Sequence, residues 1–224
     1  MDLITAMKER HSVRAYLDTP IEKEKAQALQ ALIDECNREG DLHLQLVLNE
    51  PKAFDGFMAH YGKFSGVQNY VALIGKKTDA LQEKIGYFGA KTVLLAQSLG
   101  LNTCWVAMTY KKIKTAFTVG KGEKLCGVIA LGYGKTQGVA HKVKPLDEVC
   151  NSVIIPAPEW FTNGVKAALL APTAMNQQKF HFNFTGGNKV KATTRGGFYT
   201  ETDLGIAKYF FGLGAGKADI QWTE

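Results

Sequence analysis

The sequence predicts an α+β fold in which two related α-β-β-α-β halves pack as one compact unit. Three observations lead to this prediction: helix-like and strand-like segments alternate along 224 residues, their order repeats, and short sequence similarities accompany the repeat. We place the halves at residues 1–145 and 146–224, with mixed and antiparallel sheets flanked by helices. The sequence leaves open the alternative of one α+β domain whose repeated order is coincidental.

Composition excludes several classes of protein. With 46% hydrophobic and 21% charged residues, the chain is globular rather than disordered. No apolar run reaches about 18 residues, which argues against a membrane span. Charged residues interrupt the N-terminal segment MDLITAMKERHSVR, which argues against a secretion signal. The cysteines form no C-x-x-C pair, which argues against a zinc site and indicates a reducing cytoplasm.

The first half combines helical and alternating patterns. Helices are predicted over 2–9, 20–39 and 80–99, and strands over 42–48, 70–74 and 103–107. The second helix begins with a capping box, Thr19-Pro20-Ile21-Glu22, and ends at Gly40. Gly86 and Gly89 weaken the nearly all-apolar helix 80–99, so we expect a neighbouring helix to approach closely there.

The second half repeats this order after helix 110–118 and strand 126–131, which join the halves. Its elements are a helix over 158–170, a hairpin with strands 180–184 and 190–194, a helix over 203–214 and a strand over 218–222. His11-Ser12-Val13 resembles Asn151-Ser152-Val153, and the pair Gly89 and Gly100 has the spacing of Gly205 and Gly216. These similarities are the basis for the predicted duplication.

Positive charge is concentrated in residues 111–144, where Glu123 is the single acid. The stretch contains Lys111, Lys112, Lys114, Lys121, Lys124, Lys135, Lys142 and Lys144. Three interpretations stay open: a nucleic-acid patch, a site for a small anion such as phosphate, or a solvated lysine-rich face. Few aromatic residues accompany these lysines, which argues against single-strand binding.

Three segments carry candidate chemistry. The first is Arg10-His11-Ser12-Val13-Arg14, which in extended form places both arginines and the serine on one side, a suitable cradle for phosphate. Surface ion pairs are the alternative for these arginines. The second is Ala171-Pro172-Thr173-Ala174-Met175-Asn176-Gln177-Gln178, a small uncharged loop with amides for a heteroaromatic ligand, or an ordinary turn. The third is Gly100 to Met108 with the downstream Gly132-Tyr133-Gly134-Lys135 and Lys142 to Leu146, each a core strand or turn when taken alone.

Together these segments resemble the FMN-dependent nitroreductase family. RHSVR resembles the family's phosphate-binding opening, and APTAMNQQKF resembles its Ser/Thr-x-x-Asn-x-Gln loop, although Lys179-Phe180 stands where Pro-Trp is usual. GLNTCWV resembles the family's strand beside the flavin ring. ALGYGK, followed by Lys-Pro-Leu, resembles its closing segment, and DLGIA at 203–207 resembles a helix start that is common in the family. The resemblance implies a nitroreductase-like fold.

The spacing departs from the family in one respect. The Asn-Gln loop usually follows the Arg-Ser-Arg segment closely and completes a flavin site in a partner subunit, whereas here it lies in the second half. The resemblance therefore implies a tandem member in which one chain builds one FMN site, as a monomeric pseudo-dimer or as a homodimer. The implied cofactor-binding residues are Arg10, His11, Ser12, Arg14, Trp105, Val106, Lys142, Lys144, Pro172, Thr173, Ala174, Asn176 and Gln178.

The activity that the resemblance implies is transfer of hydride from NAD(P)H through FMN to a nitroaromatic, quinone or similar small acceptor. We name no catalytic side chain and no metal ligand, because flavin and water can handle the protons. The aromatic loop containing Phe54, Phe57, Tyr61 and Phe64 either covers the pocket or packs in the core. Two alternatives remain: a flavin-binding sensor or carrier without turnover, and a nucleic-acid-binding module that uses residues 111–144. Neither a nucleic acid nor a membrane is the partner that we expect.

Overall fold

The computed structural model describes residues 1–151 and 157–223. Its helices are α1 (Leu3–Glu9), α2 (Lys23–Gly40), α3 (Phe57–Tyr61), α4 (Leu81–Ser98), α5 (Glu159–Ala168) and α6 (Thr200–Ala215). Its strands are β1 (Gln45–Val47), β2 (Asn69–Lys76), β3 (Asn102–Val106), β4 (Glu123–Gly132), β5 (Phe180–Gly186), β6 (Lys189–Thr194) and β7 (Gln221–Thr223). Within these ranges, no helix has both the length and the apolar run needed to cross a bilayer. Ser152 and Val153, two of the three residues that were compared with His11-Ser12-Val13, lie outside the described residues.

The strands form two sheets. The first has the order β1-β2-β4-β3 with antiparallel neighbours throughout. In the second, β5 and β6 form an antiparallel hairpin and β7 adds parallel to β6. The predicted α+β class with mixed and antiparallel sheets is confirmed. The strands of the first sheet all precede residue 145, and those of the second sheet all follow it. The division into two domains and the duplication of the halves stay predictions.

Helix α4 connects the two sheets through a shared core. Ala90 and Leu94 of α4 and Met7 of α1 belong to the same buried cluster as Phe161 of α5 and Phe211 of α6. The other face of α4 packs on the first sheet, where it shares a second buried cluster with β2 and α2. A helix that is apolar on both faces must be buried on both faces, as the sequence of 80–99 predicts.

Gly86 of α4 and Gly205 of α6 lie where the two helices cross. A Cβ atom on Gly86 would lie 2.0 Å from the carbonyl oxygen of Thr202, and one on Gly205 would lie 1.9 Å from that of Glu83. Such distances are far inside van der Waals contact, so only glycine fits at either position. The close helix approach that we expected at Gly86 is confirmed.

Gly89 serves a different purpose. A Cβ atom on Gly89 would lie 2.5 Å from the Trp105 ring, so glycine at this position makes room for the indole rather than for a neighbouring helix. The reciprocal contacts at the crossing pair Gly86 with Gly205.

The predicted capping box at the start of the second helix is wrong. Helix α2 begins at Lys23, and its N-cap, Glu22, makes no side-chain capping bond. Instead, the Glu22 carboxylate accepts a hydrogen bond from the Tyr133 hydroxyl. The Leu17 amide also donates to the Tyr133 carbonyl, so this stretch is held by a distant loop. Tertiary contacts therefore replace the local cap.

The ends of other elements also differ from the predictions. Gly40 is the last residue of α2, and the left-handed residue that ends the helix is Asp41, with φ of 49°. The strand predicted over 42–48 is reduced to β1, although Leu42 forms an isolated bridge to Gly75. The last strand begins at Gln221 rather than at residue 218.

The helix predicted over 110–118 is not formed, because residues 107–122 run as turns and extended backbone. The amide of Lys111 donates to the carbonyl of Ala53. The amide of Thr118 donates to Gln45 Oε1, and its carbonyl accepts from Gln45 Nε2. Ile113 and Phe117 pack against a buried cluster of the first part. Of these backbone groups, the Thr118 amide is one that a helix over 110–118 would bond internally, and here it bonds to a distant side chain instead.

The aromatic residues at 54–64 divide into two groups. Phe54 and Phe64 are buried, with ring centroids 5.2 Å apart, whereas Phe57 and Tyr61 are exposed. None of the four lines the cavity described below. Core packing, rather than cover for that pocket, is therefore what Phe54 and Phe64 provide.

Candidate functional site

A cavity of about 390 Å³ opens where the two parts of the chain meet. Its walls come from the segment after α1, from β2, β3 and β4, and from residues 172–175 and 198–206. This volume falls in the range of roughly 300–1,000 Å³ that is typical of small-molecule sites. Segments separated by some 160 residues, which we predicted to act together, therefore border one space.

The cavity walls are mainly apolar, with a few polar groups between them. Leu73, Ile85 and Ile206 contribute aliphatic surface. Ser12 and Arg14 contribute a hydroxyl and a guanidinium group. This combination suits a flat, largely apolar ligand that carries a small number of polar or anionic groups.

Ser12 and Arg14 reach the cavity because the chain runs extended beside β3. Ser12 forms a parallel bridge with Thr103, and the Val13 amide donates to the Thr103 carbonyl at 3.1 Å. Successive side chains of extended backbone point to opposite sides, so Val13 enters the core while its two neighbours line the cavity. The pattern R-x-S-x-R predicts that both arginines and the serine share one side, whereas Arg10 is not among the residues that line the cavity.

Arg10 is a buried cation with an unmet hydrogen-bonding group. The residue is 3% exposed, and its Nε has no hydrogen-bond partner in the described part of the chain. Burial lowers the pKa of Arg10 to about 10, and the nearby Cys104, which lines the cavity, acts in the opposite direction. A buried charge without compensation is costly, so this guanidinium is suited to an anionic ligand.

His11 does not contribute to the cavity wall. Its Cβ lies close to Gly138, and the residue is not among those that line the walls. Burial lowers the pKa of His11, and the charges of Arg10 and His141 lower it further. Its predicted contact with a cofactor stays a prediction.

Trp105 and Val106 at the end of β3 both line the cavity. The indole ring of Trp105 lies over Gly89, and its Nε1 is buried without a hydrogen-bond partner among residues 1–151 and 157–223. A buried indole N–H usually has a partner, so this donor is also available to a ligand.

The residues of the loop after α5 form two groups with different contacts. Its first residues, Pro172, Thr173 and Ala174, line the cavity. The amides of Asn176 and Gln178 instead donate to the Lys142 carbonyl at 2.8 and 2.9 Å. These two amides attach the loop to a neighbouring segment, and their predicted contact with a heteroaromatic ring stays a prediction.

Lys142 and Lys144 lie beside this loop but are not part of the cavity wall. The Lys144 amide donates to Gln178 Oε1 at 3.0 Å, and its Nζ lies 3.8 Å from a carboxylate oxygen of Glu148. The structure therefore ties both residues to the Asn-Gln loop through their backbone, and a role for their charges in phosphate binding stays a prediction.

Asp203 is a cavity residue that we had noted only as part of a helix start. It is 4% exposed and accepts hydrogen bonds from the Ala174 amide at 2.9 Å and from Gln177 Nε2 at 2.7 Å. Burial raises the pKa of Asp203 to about 6, and the two hydrogen bonds act against this rise. An acid at the beginning of an otherwise apolar helix was the available signal, but it is equally typical of a solvated first turn. Other lining residues that the sequence did not single out are Met108, Cys126, Phe198, Tyr199 and Thr202.

The raised pKa predicts a pH-dependent stability for the ligand-free protein. Because the folded-state pKa lies above the unfolded value of 3.8, ionisation of Asp203 costs stability as pH rises from about 4 to about 6. Relative to an Asp203→Asn variant, the wild type should lose about 2 kcal/mol of unfolding free energy between about pH 4.5 and pH 7.5. Urea unfolding of both proteins at the two pH values measures this difference, and a pH-independent difference would contradict the assignment.

Comparison with known proteins places this geometry in a family. The family model described as "Putative TM nitroreductase" matches residues 2–215. No curated protein matches the chain. The fold is similar to that of a "putative nitroreductase" from Thermotoga maritima, with 20% identity, a TM-score of 0.68, and coverage of 94% of this chain and 82% of that one.

Two shorter proteins share part of the fold. A nitroreductase family protein from Streptococcus pneumoniae has 12% identity, covers 66% of this chain and 98% of its own, and gives a TM-score of 0.53. A "putative nitroreductase in complex with FMN" from Desulfovibrio desulfuricans has 15% identity, covers 70% and 98%, and gives a TM-score of 0.50. Since the family model extends over nearly the whole sequence, the chain belongs to this nitroreductase family.

Proposed function

We propose that the protein is an FMN-dependent NAD(P)H oxidoreductase that reduces a nitroaromatic, a quinone or a similar small acceptor. The observation that carries the proposal is the shared cavity of Ser12 and Arg14 with Thr173 and Ala174. Arg10, two residues before Ser12, is buried, and its Nε has no hydrogen-bond partner in the described part of the chain. The Desulfovibrio relative that is described with bound FMN supports the choice of flavin. We place the activity in the cytoplasm, as the cysteine pattern predicts.

The residues present fit FMN in both of its chemical parts. The phosphate requires charge-assisted donors, which Arg10, Ser12 and Arg14 would supply. The three-ring system requires an apolar slot, which Trp105 and Val106 border. When bound, FMN supplies the hydride chemistry, while these residues bind and orient it and exclude water from its faces.

We also propose that one chain is sufficient for one site. Both groups of binding residues come from the same chain, so the protein would bind FMN as a monomer or as a homodimer with independent sites. We propose no acid or base side chain for the reaction. Besides NAD(P)H, the mechanism requires a small-molecule electron acceptor.

Flavin titration of the purified protein tests the proposal. We expect FMN fluorescence to be quenched on binding, with saturation at one FMN per chain. NADH or NADPH should then bleach the flavin absorbance, and a quinone or nitroaromatic should restore it over many cycles. Absence of flavin binding would contradict the proposal, and binding without bleaching would favour the flavin sensor or carrier instead. Sedimentation analysis with and without FMN shows whether a second chain is needed.

A further inference from the structure

The Asp203 carboxylate lies between two loops that border the cavity mouth. Oδ1 accepts from the backbone amide of Ala174, and Oδ2 accepts from the side-chain amide of Gln177. Its own amide donates to the Tyr199 carbonyl at 2.9 Å, which fixes the carboxylate in the first turn of α6. One buried side chain therefore holds two points of the 173–178 loop.

This loop has a backbone that needs external support. Met175, Asn176 and Gln178 have φ values of 50°, 54° and 43°, in the left-handed region that residues with a Cβ rarely adopt. Residues in such conformations persist only when surrounding contacts determine them. The bonds to Asp203 are two of these contacts, and they flank Met175 on both sides.

Gln177 extends the connection to the second loop. Its Nε2 donates to Asp203 and also to the Phe198 carbonyl at 3.0 Å. Tyr199, the next residue, is also left-handed, with φ of 64°. Met175 from one loop and Phe198 from the other line the cavity while remaining 89% and 83% exposed, so both lie at its rim.

We propose that Asp203 is a positioning residue whose carboxylate holds the 173–178 loop against residues 196–199 and thereby sets the shape of the cavity mouth. The inference rests on the proposed function in one respect: this mouth is where the flavin and the acceptor would enter. The loop geometry itself can be tested without any ligand.

The raised pKa of Asp203 is consistent with this role. Ionisation of the buried Asp203 costs unfolding free energy, as its raised pKa indicates. An uncharged side chain of equal size would pack equally well without that cost, so packing alone poorly explains an acid at this position. The carboxylate is the form that accepts from two donors at once.

Hydrogen–deuterium exchange of the ligand-free protein tests the inference directly. In Asp203→Asn, the new Nδ2 cannot accept a hydrogen bond, so at least one loop contact is lost. We expect the amides of residues 174–178 to exchange about tenfold faster or more, which corresponds to loss of roughly one hydrogen bond. Glu201→Gln is the matched control, because Glu201 lies in the same helical turn but is exposed, and it should leave this exchange unchanged.

A second variant separates loop positioning from a general loss of stability. Gln177→Ala removes the hydrogen bonds to Asp203 Oδ2 and to the Phe198 carbonyl, but it keeps the Asp203 carboxylate, its bond to the Ala174 amide and the residues of the cavity wall. It should also accelerate exchange at residues 174–178, while exchange in α4 and α5 stays at the wild-type rate. Unchanged exchange of the loop in both variants would overturn the inference.

Flavin binding gives a further readout. If the wild type binds FMN, both variants should release it faster, by about threefold to tenfold, with little change for Glu201→Gln. If the wild type does not bind FMN, the proposed function fails, while the exchange experiment still decides whether Asp203 positions the loop. If FMN release is unchanged although the loop exchanges faster, the inference that the loop shapes the mouth is wrong.

Discussion

Replacing Arg10 by methionine should weaken FMN binding by about tenfold to a hundredfold and at the same time stabilise the ligand-free protein. Hydrogen bonds to charged groups contribute about 1.5–3 kcal/mol each, and a phosphate would supply the partner that Arg10 Nε lacks. Methionine retains most of the apolar stem, so the packing of this 3% exposed position is largely kept. Fluorescence titration with FMN measures the affinity.

The opposite effect on stability follows from the pKa. Burial lowers the pKa of Arg10 from 12.5 to about 10, so the charged form present at neutral pH is disfavoured in the folded protein. This cost is fully present below pH 10 and amounts to about 3 kcal/mol, some of which the variant should recover. Urea unfolding without flavin measures the gain.

Arg38→Met provides the control, since it removes one positive charge from an exposed position of α2. It should change neither FMN affinity nor stability by more than about 0.5 kcal/mol. If Arg10→Met binds FMN within threefold of the wild type, Arg10 is not part of the phosphate site. If it also destabilises the protein, the buried guanidinium contributes to packing instead.

Replacing Gly205 by alanine should lower the unfolding free energy by about 3 kcal/mol or more. The added methyl group would lie 1.9 Å from the carbonyl oxygen of Glu83 and 2.8 Å from the Tyr87 amide nitrogen. Backbone atoms cannot move aside as a flexible side chain can, so α4 and α6 would have to separate. Because this crossing also positions Asp203 and Ile206 in the cavity wall, FMN binding should weaken as well.

Gly212→Ala is the matched control on the same helix. A Cβ atom at residue 212 meets no atom within 4 Å, so the substitution should stabilise the protein by about 0.5–1 kcal/mol through helix propensity. Urea unfolding compares the two variants. Equal stabilities would show that the helix crossing can relax around the new methyl group, which would contradict the proposed role of Gly205.

The elements that could be predicted are those whose pattern is strong over many residues. Helices α4 and α6 were located within a few residues, because long apolar segments with helical spacing must be buried helices. The helix predicted over 110–118 is not formed, and the Thr118 amide, which such a helix would bond internally, donates instead to the side chain of Gln45, more than 50 residues away. Such partners leave no local trace in the sequence.

The candidate site likewise combines features that the sequence predicts with features that depend on distant contacts. Ser12 and Arg14 line the cavity because alternation along an extended segment is a local property. The orientation of the Asn176 and Gln178 amides toward the Lys142 carbonyl depends on a segment that only the folded chain brings near. Asp203 was missed as a site residue for the same reason, since its hydrogen-bond partners, Ala174 and Gln177, belong to a distant loop.

The sequence by itself determined the α+β class, the long buried helices and the segments that carry chemical groups, because periodicity, turn residues and charge are encoded in neighbouring residues. Only the tertiary structure decided which of these groups face one cavity. It also decided that the Nε of Arg10 is buried without a hydrogen-bond partner in the described chain and that Asp203 links two loops. These properties arise from contacts between residues distant in sequence, whose geometry depends on how α4, α6 and the sheets pack.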